Sequence, residues 1–208
     1  MSRLSMPSSA HSAICLACIF TLAVASAHAQ SPQAEVLSFL QERDRDIKRA
    51  VSKLGGGVGT AEDRRRAEAL INDRIDFREM GRLSLGKYWA DLSADQRADF
   101  VDTFRAIVRG QSLSDLTVYE AAVTFESVEV TDDKAHVYTT ATIDGAKVEV
   151  SYLLRRVDGE WWLYDIILDD VGTVEGYSIS FQSYIRKRGF ESFMASLNKK
   201  RASLDAGG

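Results

Sequence analysis

Residues 134–168, KAHVYTTATIDGAKVEVSYLLRRVDGEWWLYDIIL, decide the fold. Apolar and polar side chains alternate along them with a period of two, the pattern of strands buried on one face. Asp144-Gly145 and Asp158-Gly159 interrupt the alternation, and a glycine that accepts positive φ after an aspartate predicts a tight hairpin turn. A further alternating run precedes them, joined through Asp132-Asp133. The pattern predicts strands at about 122–130, 134–143, 147–157 and 161–168, connected in order as a four-stranded twisted antiparallel meander.

Such a sheet needs a cover on at least one face. Helical spacing on both sides of it supplies one. Val36, Leu40, Ile47, Val51 and Leu54 mark a helix over 33–54, ended by the glycines at 55–59. Helices follow at about 61–74 and from Phe77 to Leu85. Ser93 and Gln96 form a capping box for the next, whose apolar stripe is Phe100, Phe104, Ile107 and Val108. Two terminal helices, about 175–188 and 190–202, carry Tyr177, Phe181, Tyr184 and Ile185, then Phe190, Phe193, Met194 and Leu197. The fold class is α+β: the meander under about five or six helices, a cone-like layout that has room for an apolar pocket.

The first residues have a different character. Ala13 to Ala25 is a wholly apolar run apart from Thr21, preceded by Arg3 and followed by Ala27-His28-Ala29, a small-x-small cleavage pattern. As a helix the run reaches roughly 20 Å, short of the roughly 30 Å hydrocarbon core, so it reads as a cleavable signal peptide over 1–29 rather than a membrane span. The remaining residues, 30–205, form one domain. The chain is expected to be exported and then free of the membrane.

That cut removes Cys15, Cys18, His11 and His28, leaving no cysteine and one histidine, His136. Thiol catalysis and Cys/His metal sites then have no material, and no metal or other cofactor is expected. The 26 basic residues minus Arg3, against 30 acidic ones, give a net charge of −5, with no footprint for nucleic acid. A Gly-x-Ser-x-Gly nucleophile elbow is missing. The paired acids Asp132-Asp133 and Asp169-Asp170 read as turn or strand-end residues, and no catalytic residue is assigned. Asp165, in phase with Trp161 and Leu163, requires a partner if that face is buried; Arg105 and Arg82 are the candidates for a structural ion pair. The enzymatic alternative is an isomerase-like enzyme on a cone-shaped α+β fold with Asp165 or His136 as base.

Strand 134–143 places Ala135, Val137, Thr139, Ala141 and Ile143 on one face, and these side chains are small. Either large neighbours such as Trp162 and Tyr164 fill the space, or a ligand does. Strand alternation nominates Val137, Thr139, Val150, Tyr152, Leu154, Tyr164 and Ile166 for a pocket. Helix stripes add Leu85, Phe100, Phe104, Val108, Tyr177, Phe181 and Ile185.

Taken in order, several segments resemble one family. They are Leu85-Gly86-Lys87-Tyr88-Trp89, Leu92-Ser93-Ala94-Asp95-Gln96-Arg97 with Phe100 and Phe104, Gly159 to Ile166 followed by Val171, and Arg186 to Phe190. The family is MlaC, the toluene-tolerance auxiliary component of an ABC transporter, and the resemblance spans about Val36 to Lys200. After Val171 the family continues with an Asn-Tyr-Arg-like run, where this chain keeps Tyr177 but has Ser178 in place of the arginine. The resemblance implies a monomeric periplasmic carrier with bound phospholipid as cargo and the pocket above as its lipid site. It also implies two partners: an outer-membrane lipoprotein–porin complex, and an inner-membrane ABC transporter with an MCE-domain subunit.

Overall fold

A computed structural model of the chain describes residues 31–206 apart from Asp144. The leader read over 1–29, with its cysteines and histidines, and Asp144 of the second hairpin turn lie outside the described residues.

Each long helix starts where the sequence offers a cap. In α1 (Pro32–Val51), Ser31 Oγ accepts the Ala34 N–H and Pro32 sits in the first turn. A 3-10 turn, Ser52–Gly57, follows, and α2 (Ala61–Asn72) opens on a Thr60/Asp63 capping box. Asp76 caps α3 (Phe77–Leu85), and the Ser93/Gln96 box caps α4 (Ala94–Gln111) as its spacing predicts. A single turn, α5 (Thr117–Glu120), precedes the sheet and has no counterpart in the sequence reading. The last helix, α6 (Thr173–Ala206), breaks at Gly189, with φ 79° and ψ 164°. Its two stretches are the two terminal helices expected.

The strands β1 (Ala122–Thr131), β2 (Lys134–Ile143), β3 (Ala146–Val157) and β4 (Glu160–Leu168) pair antiparallel in chain order. The sheet has five strands rather than four, because β5 (Val171–Gly172) pairs with Ile167 and Leu168. It is too short to show an alternation. The turn that makes it, Asp169-Asp170, has both residues at positive φ, 43° and 66°, a geometry aspartate tolerates better than most side chains.

One irregularity shapes everything near it. Leu154 pairs with Leu163 but Leu153 pairs with Asp165, so Tyr164 is an extra residue in β4. Such a bulge switches the strand's phase and bends it. The free edge of β4 is covered in two pieces on either side of the bulge. Before it, the Asp76 N–H donates to Leu163 O (2.7 Å) and the Leu163 N–H donates to Arg74 O (2.9 Å); after it comes β5.

The apolar interior falls into separate clusters. One is helical: Phe100, Phe104, Phe181 and Phe193 join α4 to both stretches of α6, with ring centroids 4.9–6.1 Å apart. Its closeness depends on Gly81 of α3, where a Cβ would stand 2.8 Å from Phe100 Cε1. A second seats α1 on the sheet, with Val36 and Leu40 against Ala135, Val137, Leu154 and Trp161. Between these two filled regions the inner face of the sheet is not filled.

Candidate functional site: an apolar cavity beneath the sheet

The unfilled region is a cavity of ≈ 460 Å³. That lies inside the range of about 300–1,000 Å³ typical of small-molecule sites. Its floor is the inner face of the sheet, from Val123 and Phe125 (β1) through Ala141, Ile143, Val150 and Tyr152 to Ile166 and Leu168. Phe39, Leu40 and Ile47 of α1, Ile71 of α2, Met80 of α3, Val108 of α4 and Tyr177 of α6 form the other walls. The small side chain of Ala141 keeps the floor low on β2, next to the buried Thr139. The Thr139 hydroxyl donates to Val150 O (2.7 Å), so this small side chain leaves no free polar group on the sheet.

The bulge supplies the wall at one side. In a regular strand only alternate residues face one way. Here Leu163, Tyr164, Asp165 and Ile166 all line the cavity. The expected phase of Asp165 with Trp161 and Leu163 is broken by the extra residue. The ion pair expected with Arg105 or Arg82 does not form either: those arginines hold Asp102 and Glu79. The Asp165 carboxylate accepts the Val174 N–H (3.0 Å) and the Ile166 N–H (2.9 Å), tying the start of α6 to the strand. Burial pushes its pKa above the usual carboxylate range against the pull of these backbone hydrogen bonds.

Every charged side chain on the lining is already occupied. Arg43 binds Asp73 (2.5 Å) and Leu70 O and lies over the Phe39 ring, Asp44 binds Lys48 (2.8 Å), and Arg74 pairs with Glu160. Burial raises the pKa of Tyr119, Tyr152, Tyr164 and Tyr177, so these phenols stay neutral. Asn72 gives its amide hydrogens to Glu68 O and Ser112 Oγ. The wall therefore presents hydrocarbon and charges already held by partners, with the buried Asn72 Oδ1 left without a hydrogen-bond partner, a surface that recognises apolar shape rather than charge.

Six residues nominated from sequence line the cavity: Val108, Val150, Tyr152, Tyr164, Ile166 and Tyr177. The other eight lie elsewhere. Leu85, Phe100, Phe104, Phe181 and Ile185 pack on one another in the helical cluster, because the stripes of α3, α4 and α6 face each other before they face the sheet. Val137 and Leu154 are covered by α1, and Thr139 is buried beside them. Of the two side chains that might have filled the hollow, Tyr164 lines it. Trp162 points to the opposite face, under the Arg74 guanidinium (5.3 Å). His136 stacks on Tyr138 (3.9 Å) and lines no part of the cavity, so it cannot act there with Asp165. Among the described residues no group of three His, Cys, Asp or Glu side chains is placed to hold a metal ion.

The sequence reading missed the contribution of α1, whose apolar stripe it identified without knowing which part of the sheet it would cover. It also missed Val118 and Tyr119 on the single-turn α5.

A similar fold occurs in a phospholipid-binding protein from Ralstonia solanacearum, solved in complex with a phospholipid. The match has a TM-score of 0.66 at 20% sequence identity and covers 85% of this chain and 99% of that one. No curated protein matches the sequence. The sequence model of the family described as MlaC protein matches residues 47–199, more than half of the chain, and the chain belongs to that family.

Proposed function

We propose that this chain is a phospholipid carrier of the periplasm, a binding protein rather than an enzyme. It takes acyl chains into the cavity and carries the lipid between two membrane complexes. These are an outer-membrane lipoprotein–porin assembly and an inner-membrane ABC transporter with an MCE-domain subunit. The observation that carries the reading is the cavity itself, lined by aliphatic and aromatic side chains with Arg43, Asp44 and Arg74 in ion pairs and Asp165 held by backbone N–H groups.

The physical need for such a device is large. A diacyl lipid has on the order of 30 methylenes, each costing ~0.8 kcal/mol in water, so unassisted transfer faces roughly 20–25 kcal/mol. A soluble domain lowers that barrier by giving the chains a dry place to lie. At roughly 30 Å³ per water-sized group, the ≈ 460 Å³ cavity is on the scale of one acyl chain before its walls adjust. The phospholipid seen in the Ralstonia relative supports the cargo class, and the leader read over residues 1–29 supports the compartment. With no free charge on the wall, binding selects hydrocarbon and discriminates little among head groups. The carrier acts as a monomer, since one chain encloses the cavity.

Mass spectrometry of solvent extracts from purified protein, expressed with membranes present, tests this reading. Phospholipid in stoichiometric amount is expected. Protein that is folded and free of lipid would overturn it.

A further inference from the structure

The cavity has a recognisable mouth. Val118 and Leu168 both line it, yet they are 43% and 42% exposed, and Val171 beyond the turn is 63% exposed. Large apolar side chains left in water beside an apolar hollow mark a surface that is covered during function. On the carrier reading it must be covered at the moment of transfer, or the emerging chain would cross water.

The charges around the mouth indicate what covers it. The segments 115–123, 146–150 and 168–175 bring its residues together. They carry exposed Asp115, Glu120, Glu149, Asp169, Asp170 and Glu175 against one exposed cation, Lys147. Asp169 is held in place rather than left loose. The Asp169 N–H donates to Glu149 O, and Asp169 Oδ1 accepts the Glu149 N–H, both at 3.0 Å. The basic runs lie elsewhere, Arg64 to Arg66 on α2 and Arg186 to Arg188 on α6. The latter begins about 20 Å along the helix from Thr173 at the cavity. A carrier that drew lipid directly from an anionic bilayer would have these charges the other way round.

We infer that the acidic, apolar mouth docks on a protein whose own lipid opening is apolar and rimmed with lysine or arginine, and not on an anionic bilayer. This rests on the carrier reading and gives it a point of contact.

The test uses the triple variant E120Q/D169N/D170N. Asparagine tolerates the positive φ of the turn as aspartate does, and its carbonyl still accepts the Glu149 N–H. Uptake of a fluorescent phospholipid is followed from phosphatidylcholine vesicles, from the same vesicles doped with phosphatidylglycerol, and from vesicles doped with a cationic lipid. The wild type is expected to load on the order of tenfold faster from the cationic surface than from the anionic one at low salt. The difference should shrink as salt is added, and in the variant it should largely vanish. Binding of the wild type to the purified MCE-domain subunit should be salt-sensitive and on the order of tenfold weaker for the variant. Equal rates from all three vesicles, faster loading from the anionic ones, or unchanged binding of the variant to the MCE-domain subunit would overturn the inference while leaving the cargo intact. Failure to load from every vesicle, with no phospholipid in extracts, would instead remove the carrier reading beneath it.

Discussion

The helical half of the molecule and the half that covers the sheet are built from similar apolar residues, yet one is solid and the other hollow. In the helical half, α3, α4 and α6 bring four phenylalanines together, two of them stacked at 5.6 Å, and a glycine at 81 lets the helices close on them. Under the sheet, α1 packs down at one end on Ala135 and Val137. At the other end the sheet offers Ala141, Val150 and a bulged strand, and the large side chains around them, Tyr152 and Tyr164 among them, line the space without filling it. Stability is concentrated where side chains interlock, and capacity for a ligand where they do not. A domain can keep a permanent hollow because a separate, well-filled core holds it together.

Mutations should separate the two regions. Truncating Phe100 to Ala removes the centre of the filled region and is expected to destabilise the fold by about 3–5 kcal/mol in denaturant titration. The phospholipid carried per folded molecule should stay unchanged. A comparable loss of cargo in the folded fraction would mean that the two regions are not independent. Val137→Trp and Val150→Trp sharpen the contrast, since both side chains lie on the inner face of the sheet. Val137, fully buried under α1, has no space, and the change should destabilise by about 1–3 kcal/mol from overpacking. Val150 borders the cavity, so its tryptophan should enter the hollow, lower lipid content severalfold and leave the denaturation midpoint nearly in place. Ser93→Ala, which removes the cap of α4, should reduce stability by about 1 kcal/mol without touching the cargo.

The smallest effect concerns Asp165, at the seam between the regions. Its pKa is raised in the folded protein by burial, so the folded state binds its proton more tightly than the unfolded chain. Between the ordinary carboxylate value and the raised one, its contribution to stability falls as pH rises. Asp165→Asn should remove that slope. The difference in stability between wild type and variant, measured across acid pH, should depend on pH in this direction; an opposite slope would mean that its backbone hydrogen bonds outweigh burial.

How much of this was legible in the sequence follows from what kind of signal each feature leaves. Alternation over ten residues and the Asp-Gly turns announced β1 to β4, and Ser93 with Gln96 announced α4, because these are local. The break at Gly189 also fell between two visible stripes. The extra residue in β4 left no trace, since one inserted tyrosine in a strand of aromatic and aliphatic residues looks like any other. With it went the phase of Asp165 and the wall it forms. The stripes of α4 and α6 were read correctly as buried, but burial does not say against what. Phe100, Phe104 and Phe181 satisfy the same periodicity whether they meet a lipid or each other. Val150, Tyr152 and Ile166 were found at the cavity because their strands have no helix packed down on them there, which is a tertiary fact that alternation alone does not contain.

The account as a whole turns on where the hydrocarbon lies. A crystal structure of the protein with its co-purified lipid would show this directly. An acyl chain is expected in van der Waals contact with Tyr152, Ile166 and Val150, with the phenylalanines of the helical core unmoved. Hydrocarbon lodged among those phenylalanines, or a hollow closed by the protein's own side chains while lipid sits outside, would contradict it.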